Sequence, residues 1–181
     1  MSVAAGDFVV FMDNDDLIPE DALYWVAEEI NAQAGRPVAY AYQGDATDDA
    51  FRSLVFDSIS GKFDTVSMCV PAAGITRDAL AVRMDRETGK AEPYSVATFR
   101  EVTEVNLIAP IYWAIEMVAR IAEDRWQRGL KQWDPEEEVQ GTVVFIGSVS
   151  SQGSKGQISY AVTKAGLEGA TATLTKEAMH Y

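Results

Sequence analysis

Cysteine and histidine are nearly absent from this sequence, which limits the chemistry available to it. The one cysteine, Cys69, has no partner for an internal disulfide, and its apolar neighbours favour a buried small side chain over a nucleophile. The one histidine, His180, leaves a zinc site or a Ser-His-Asp arrangement without its necessary parts. Any catalysis must therefore rest on other side chains.

Positive charge is also scarce, with 15 Lys and Arg against 28 Asp and Glu and a net charge of −13. Such an acidic chain is a poor partner for nucleic acid or an anionic membrane. No apolar run approaches the roughly eighteen residues of a membrane span, and the N-terminus has no basic stretch followed by an apolar one. We therefore expect a cytoplasmic globular protein, and 181 residues suit a single domain.

Short apolar strands alternate with amphipathic helices in the first part of the chain. The pattern predicts strands at residues 7–12, 37–43 and 65–70, with helices at 19–34 and 50–60. This alternation favours an α/β fold with a parallel sheet covered on both faces. Ligands of such sheets bind at the carboxyl ends of the strands.

The middle of the chain contains two polar segments on either side of a long helix. Residues 77–94 and 126–140 are predicted loop insertions, and the helix runs over residues 95–124. Pro110 should kink that helix, since proline lacks the N–H needed for the helical hydrogen-bond ladder.

A strand, a loop and a helix follow at residues 142–146, 148–156 and 157–179. The helix places Tyr160 and Lys164 four residues apart on one face. A cation beside a phenol favours the phenolate, so the pair is a plausible acid/base device, and Ser148 could polarise a carbonyl. The alternative is an ordinary Tyr and Lys on a surface helix.

Ser148 followed twelve residues later by Tyr-x-x-x-Lys, directly after a strand, resembles the active-site segment of the short-chain dehydrogenase/reductase family. The resemblance implies a Rossmann-like three-layer fold and the interconversion of a ketone and a secondary alcohol. Tyr160 would pass the proton to the carbonyl oxygen. Lys164 would assist Tyr160 and contact the nicotinamide ribose, while Ser148 would orient the carbonyl.

Further stretches resemble the same family in the expected order. Asn106, in Val-Asn-Leu, would hold a water in the proton relay. Asp13 ends a strand where NAD-using members carry an acid for the adenosine ribose, which implies NAD rather than NADP. The remaining cofactor residues implied by the resemblance, besides Tyr160 and Lys164, are Asp45, Ala46, Ala73 and Gly74.

Each of these residues also has an ordinary structural explanation. Asp13 and Asp45 could cap the helices that follow them. Asn106 could be a core amide in its helix, and Gly74 could be a turn glycine. Their ordered recurrence with the Ser-Tyr-Lys segment favours the functional interpretation.

The sequence departs from the family pattern in several places. Pro71 and Ala72 replace two asparagines, and the interval from Asn106 to Ser148 is long. The Gly-rich turn Thr-Gly-x-x-x-Gly-x-Gly, which cradles the pyrophosphate, does not occur. We therefore expect an incomplete Rossmann-like domain, residues 1–181, without the family's first strand and last strands.

Two functions remain open. One is an NAD(H)-dependent oxidoreductase acting on a small carbonyl or alcohol substrate. The other is a catalytically inactive member that acts as a subunit or partner-binding module. In either case the family suggests a homo-oligomer through helices 95–124 and 157–179. We expect its apolar contact surface to comprise Ala109, Trp113, Ala114 and Met117.

Overall fold

The computed structural model describes residues 21–130 and 132–181. The predicted first strand and Asp13 lie outside those residues. In chain order, the elements are helices α1 (Ala22–Ala34) and α2 (Asp49–Ser60), strands β1 (Met68–Cys69), β2 (Val82–Met84) and β3 (Ala91–Pro93), helix α3 (Val96–Thr103), a π-helical turn (Glu104–Ile108), helix α4 (Ala109–Gln127), strand β4 (Thr142–Val143), a 3-10 turn (Val149–Gln152) and helix α5 (Ile158–Ala178).

A local signal sets one end of each of the first two described helices. Asp48 caps α2 by accepting hydrogen bonds from the backbone N–H groups of Ala50 and Phe51. Gly35 ends α1 at φ 67°, a conformation that costs glycine little. Val26 of α1 is 49% exposed.

The parallel sheet is present in short pieces. β1 pairs in parallel with β4, with Met68 opposite Thr142 and Cys69 opposite Val143. Both strands are shorter than predicted. The expected strand at 37–43 is wrong as a continuous element, because only Ala39 forms a bridge there. The Asn31 side chain instead binds both the N–H and the C=O of Ala39, at 2.8 and 2.9 Å.

The segment 77–94, predicted as a loop, contains an antiparallel hairpin of β2 and β3. Arg83 and Glu92 stand opposite each other and form an ion pair. The alternation of apolar and polar residues that predicts a strand is weak here, because every residue of both strands is exposed. We call residues 77–94 the hairpin arm.

The long helix forms as predicted, but its irregularity precedes Pro110. Five residues, Glu104–Ile108, form a π turn between α3 and α4, and Pro110 is the second residue of α4. Proline cannot donate to the carbonyl four residues earlier, and a wider turn is a common way to accommodate a break in the ladder.

The core lies where α2 and α4 meet β1. α4 lies between α2 and α5, and its buried face supplies Trp113, Met117 and Ile121 to a cluster with Val55, Phe56, Ile59 and Cys69. Trp113 packs at an angle on the Phe56 ring, with centroids 5.6 Å apart.

This packing corrects the predicted oligomer surface. Ala109, Trp113, Ala114 and Met117 are between 0% and 4% exposed and belong to the core. The exposed apolar side chains of α4 are instead Tyr112 and Ile115, at 49% and 41%.

Residues 126–140, which we call the connector, are held in place by an ion pair. Arg125, only 2% exposed as a side chain, binds Glu137 through two hydrogen bonds of 2.7 and 3.3 Å. These hydrogen bonds hold the pKa of Glu137 below its usual value.

One helical stretch, Val96–Gln127, is long and apolar enough to cross a membrane by length and composition. It departs from the expectation that no segment meets this test. The indication is weak because 39% of the apolar window is buried and a core helix passes the same test.

Candidate active site

Helix α5 carries Tyr160 and Lys164 on one face, as its period requires. The Lys164 ammonium lies 5.5 Å from the centre of the Tyr160 ring. It donates a 2.8 Å hydrogen bond to the carbonyl oxygen of Ile146, in the segment that follows β4. Lys164 is therefore fixed between the helix and the carboxyl end of a parallel strand.

Burial changes the ionisation of Lys164, which is 6% exposed. Loss of hydration lowers the pKa of the ammonium from its ordinary value of 10.5. One of its three N–H groups is used by Ile146, so two remain to bind a ligand.

Ser148 lies two residues beyond Ile146 and caps the 3-10 turn Val149–Gln152. Its oxygen accepts a 3.1 Å hydrogen bond from the Ser150 N–H. A hydroxyl that accepts in this way keeps its own O–H to donate, which is the group needed to polarise a substrate carbonyl.

The Tyr160 side chain is partly exposed. Among residues 21–130 and 132–181, its hydroxyl has no hydrogen-bond partner, and none joins it to Ser148. Each hydroxyl can therefore donate a hydrogen bond to a further acceptor, such as a carbonyl oxygen.

Asn106 is buried in the π turn, at 1% exposure, and its side chain is bound to the strand-end segment beside it. Its Oδ1 accepts from the Ile75 N–H and its Nδ2 donates to the Ile75 C=O, both at 2.8 Å. The Asn106 side chain therefore binds both backbone groups of Ile75, as a neighbouring strand would. A Cβ at the neighbouring Gly74 would lie 3.4 Å from the Asn106 oxygen, so glycine suits that close approach.

The expected cofactor residues are only partly brought together. Asp45 is exposed, and its carboxylate accepts hydrogen bonds from the Thr47 N–H and hydroxyl at 2.8 and 2.7 Å. It does not cap α2, which Asp48 does. Ala46 and Ala73 line one small pocket together with Trp113, and Trp113 donates to the Ala46 carbonyl at 2.9 Å.

Several polar residues beside the site were not singled out from the sequence. Gln157 receives a hydrogen bond from the Ser150 hydroxyl and donates one to Asp78. The Tyr94 hydroxyl contacts the buried Ser159 hydroxyl at 3.0 Å and donates to the Arg77 carbonyl at 2.7 Å. No spacing rule joins these positions, because the hairpin arm brings them together.

A cavity of about 380 Å³ lies elsewhere, between α4, the connector and the second half of α5. Its lining is mainly apolar and contains Met117, Ile121, Val143 and Leu174. It does not include Ser148, Tyr160 or Lys164. The residues around Tyr160 form the candidate active site because they include a phenol, an ammonium and a hydroxyl.

Neither metal nor thiol chemistry is indicated within the described residues. No group of three or more His, Cys, Asp or Glu side chains there could hold a metal ion. Burial raises the pKa of the Cys69 thiol to about 12, so this side chain stays protonated and unreactive at neutral pH.

The profile of the short chain dehydrogenase family matches residues 3–181. The chain belongs to that family. Three similar proteins illustrate its relatives within the family. The 3-oxoacyl-(acyl-carrier-protein) reductase of Aquifex aeolicus is 31% identical over 153 residues, which are 84% of this chain and 52% of the relative.

The corresponding reductase of Escherichia coli K12 is 31% identical over 134 residues, which are 74% of this chain and 45% of that protein. Sorbitol-6-phosphate 2-dehydrogenase of the same organism is 26% identical over 165 residues, or 91% of this chain and 55% of the relative. The chain spans about half the length of the curated relatives it matches. Dehydrogenase family membership therefore supports a Rossmann-like fold and the nicotinamide class of cofactor.

Proposed function

We propose that this chain contributes the Ser-Tyr-Lys part of an NAD(H)-dependent oxidoreductase that interconverts a ketone and a secondary alcohol. The observation that supports this most directly is the position of Lys164. Its ammonium is held between the Tyr160 ring and the Ile146 carbonyl, two residues before Ser148. A phenol and a cation near the carboxyl end of a parallel strand, with Ser148 two residues along the chain from Ile146, support this proposal.

The residues present fit the nicotinamide ribose end of such a cofactor. Lys164 keeps two N–H donors for ribose hydroxyls, and the backbone at Gly74 carries no side chain that would obstruct an approach. When bound, the nicotinamide group supplies or accepts the hydride.

In the reducing direction, the Ser148 O–H donates a hydrogen bond to the substrate carbonyl oxygen. The Tyr160 hydroxyl gives its proton to the same oxygen as the carbonyl carbon becomes tetrahedral. The Lys164 ammonium stabilises the phenolate that Tyr160 becomes. Asn106, through Ile75, holds the neighbouring strand end in place.

Two finer features of the proposed function are the cofactor preference and the substrate class. Asp13 supports NAD over NADP, because a carboxylate repels a 2′-phosphate. A 3-oxoacyl thioester is one substrate class, by likeness to the named reductases, and a sugar alcohol is another. We also propose that the protein is cytoplasmic and that it forms a homo-oligomer.

The competing function is a catalytically inactive subunit or partner-binding module. One observation favours it: the 181 residues contain no Gly-rich pyrophosphate turn.

The decisive experiment substitutes Tyr160 in a protein that contains these 181 residues and catalyses carbonyl reduction. Tyr160→Phe removes the hydroxyl that carries the transferable proton, so we expect turnover to fall by about three orders of magnitude or more, with NADH affinity nearly unchanged. Stopped-flow absorbance and NADH fluorescence measure the two quantities. Tyr24→Phe, on the exposed surface of α1, is the matched control. Turnover of Tyr160→Phe close to that of the control would show that the proton comes from another group.

A further inference from the structure

Two hydrogen-bonded connections join the hairpin arm to the loop that carries Ser148. The first runs through side chains. The Ser150 hydroxyl donates to Gln157 Oε1 at 2.9 Å, and Gln157 Nε2 donates to Asp78 Oδ2 at 2.8 Å. Ser150 is also the residue whose N–H binds the Ser148 oxygen. A continuous chain of contacts thus runs from Asp78 to Ser148.

The second connection lies at the start of α5. The Ala79 N–H donates to the Gly156 carbonyl at 2.8 Å, and Ala79 pairs with Gln157 as a parallel bridge. Tyr94, at the other end of the arm, contacts Ser159, which is 1% exposed and precedes Tyr160. The base of the arm therefore touches both the Ser148 loop and the first turn of the Tyr160 helix.

The 3-10 turn at the start of this loop packs against α5, but most of the rest of the loop is exposed. Val149 is 92% exposed, Gly153 adopts φ 103°, and residues 152–155 are all exposed. Residues 152–155 therefore depend on the polar anchors at the two ends of the loop for a fixed conformation.

We propose that Gln157, supported by Asp78, is a positioning residue that sets the orientation of the Ser148 hydroxyl relative to Tyr160. This inference rests on the proposed function, since it concerns the same site. Gln157 is suited to the task because its amide can accept from Ser150 and donate to Asp78 at once. Neither a carboxylate nor an apolar side chain at 157 can do both.

The test exchanges the partners of this hydrogen bond. Gln157→Glu keeps the acceptor for Ser150 but sets a second carboxylate against Asp78, so the anchor is replaced by repulsion. Adding Asp78→Asn restores the anchor, because the new amide at position 78 can donate to the new carboxylate at position 157. Asp78→Asn alone should change little, since the oxygen of the introduced amide still accepts from Gln157.

The first readout needs no turnover. Lys155 lies in the exposed loop, and trypsin cleavage after it reports how often the loop opens. We expect Gln157→Glu to speed that cleavage about tenfold and the double variant to return it to within about twofold of wild type. Gln152→Glu makes the same chemical change at an exposed position of the same loop and serves as the control.

The second readout separates positioning from simple support of the fold. In a protein that contains these residues and catalyses carbonyl reduction, Gln157→Glu should lower kcat on the order of tenfold or more, with NADH affinity unchanged. The double variant should recover kcat. Unchanged cleavage after Lys155, or faster cleavage without loss of kcat, would each overturn the proposal. Should no preparation reduce any carbonyl, the proposed function fails, and cleavage after Lys155 still decides whether Gln157 anchors the loop.

Discussion

Lys164 and Cys69 show at the scale of single residues how burial acts on two ionisable groups with different results. Both are 6% exposed, and burial disfavours the charged form of each. For Cys69 this gives an inert thiol with a pKa raised to about 12. For Lys164 the ammonium becomes a better proton source beside Tyr160, because its pKa is lowered.

The lowered pKa of Lys164 predicts a pH dependence of stability. Below the folded-state pKa both states carry the proton and the burial cost is fully present. As pH rises through the folded pKa toward the ordinary value of 10.5, the folded protein sheds the proton first and gains stability relative to the unfolded chain.

The comparison is with Lys164→Met, which cannot titrate. Urea unfolding between pH 7 and 10.5 should show the free energy of unfolding of the wild type rising relative to that of the variant. Lys155→Met, at an exposed position, is the control for the loss of a lysine side chain from the surface. Parallel curves for wild type and Lys164→Met would contradict the assigned burial effect.

At the scale of elements, α5 contains two glycines in different surroundings. A Cβ on Gly166 would lie 2.8 Å from the Leu107 side chain, in the π turn, whereas a Cβ on Gly169 would have no heavy atom within 4 Å. The first glycine permits close approach of α5 to the long helix, and the second only weakens the helix.

We therefore expect Gly169→Ala to stabilise the protein by about 0.5–1 kcal/mol through helix propensity. The same substitution at Gly166 should gain less or lose stability, because Leu107 must move first. Thermal or urea unfolding of the two variants measures the difference. Equal stabilisation by both would mean that the Leu107 contact has no energetic weight.

The face that α4 buries determines how an oligomer can form. Ala114 is 0% exposed, so Ala114→Glu should destabilise the fold by several kcal/mol, as an unpaired buried charge does, rather than yield a folded monomer. Ile115, at 41% exposed, is the appropriate probe of association.

Light scattering with urea unfolding distinguishes the two variants. Ile115→Glu should lower the molar mass and leave the free energy of unfolding of the subunit within about 0.5 kcal/mol of wild type. A wild-type chain that is already monomeric at the concentrations used would refute the oligomer proposal for this chain.

At the scale of the whole molecule, the described residues include the proposed proton-transfer groups, but among them no cradle for the pyrophosphate is identified. The sequence has no Gly-rich turn. Backbone N–H groups at a helix N-terminus are the usual ligands of a pyrophosphate.

We expect the 181-residue chain by itself to bind NADH far more weakly than micromolar and to show no reductase activity. Isothermal calorimetry gives the affinity, and NADH absorbance with a panel of ketones gives the activity. Tight binding would mean that other groups of this chain hold the phosphates.

The sequence by itself determined the parts of this protein that depend on local periodicity. A helical repeat places Tyr160 and Lys164 on one face wherever the helix lies, and Asp48 and Gly35 bound their helices through nearby atoms. The order of strand, serine and helix also identified the family. Periodicity could not show which apolar face of the long helix is buried, since both faces carry apolar residues.

Only the tertiary structure decided the contacts that position the residues of the candidate site. Lys164 reaches the Ile146 carbonyl across 18 residues of chain, Asn106 reaches Ile75 across 31, and Gln157 reaches Asp78 across 79. Each joins a side chain to a partner in a different element, so its geometry depends on how the elements pack. Local propensity carries no information on such distances, because a residue's backbone preference is the same whatever later folds against it.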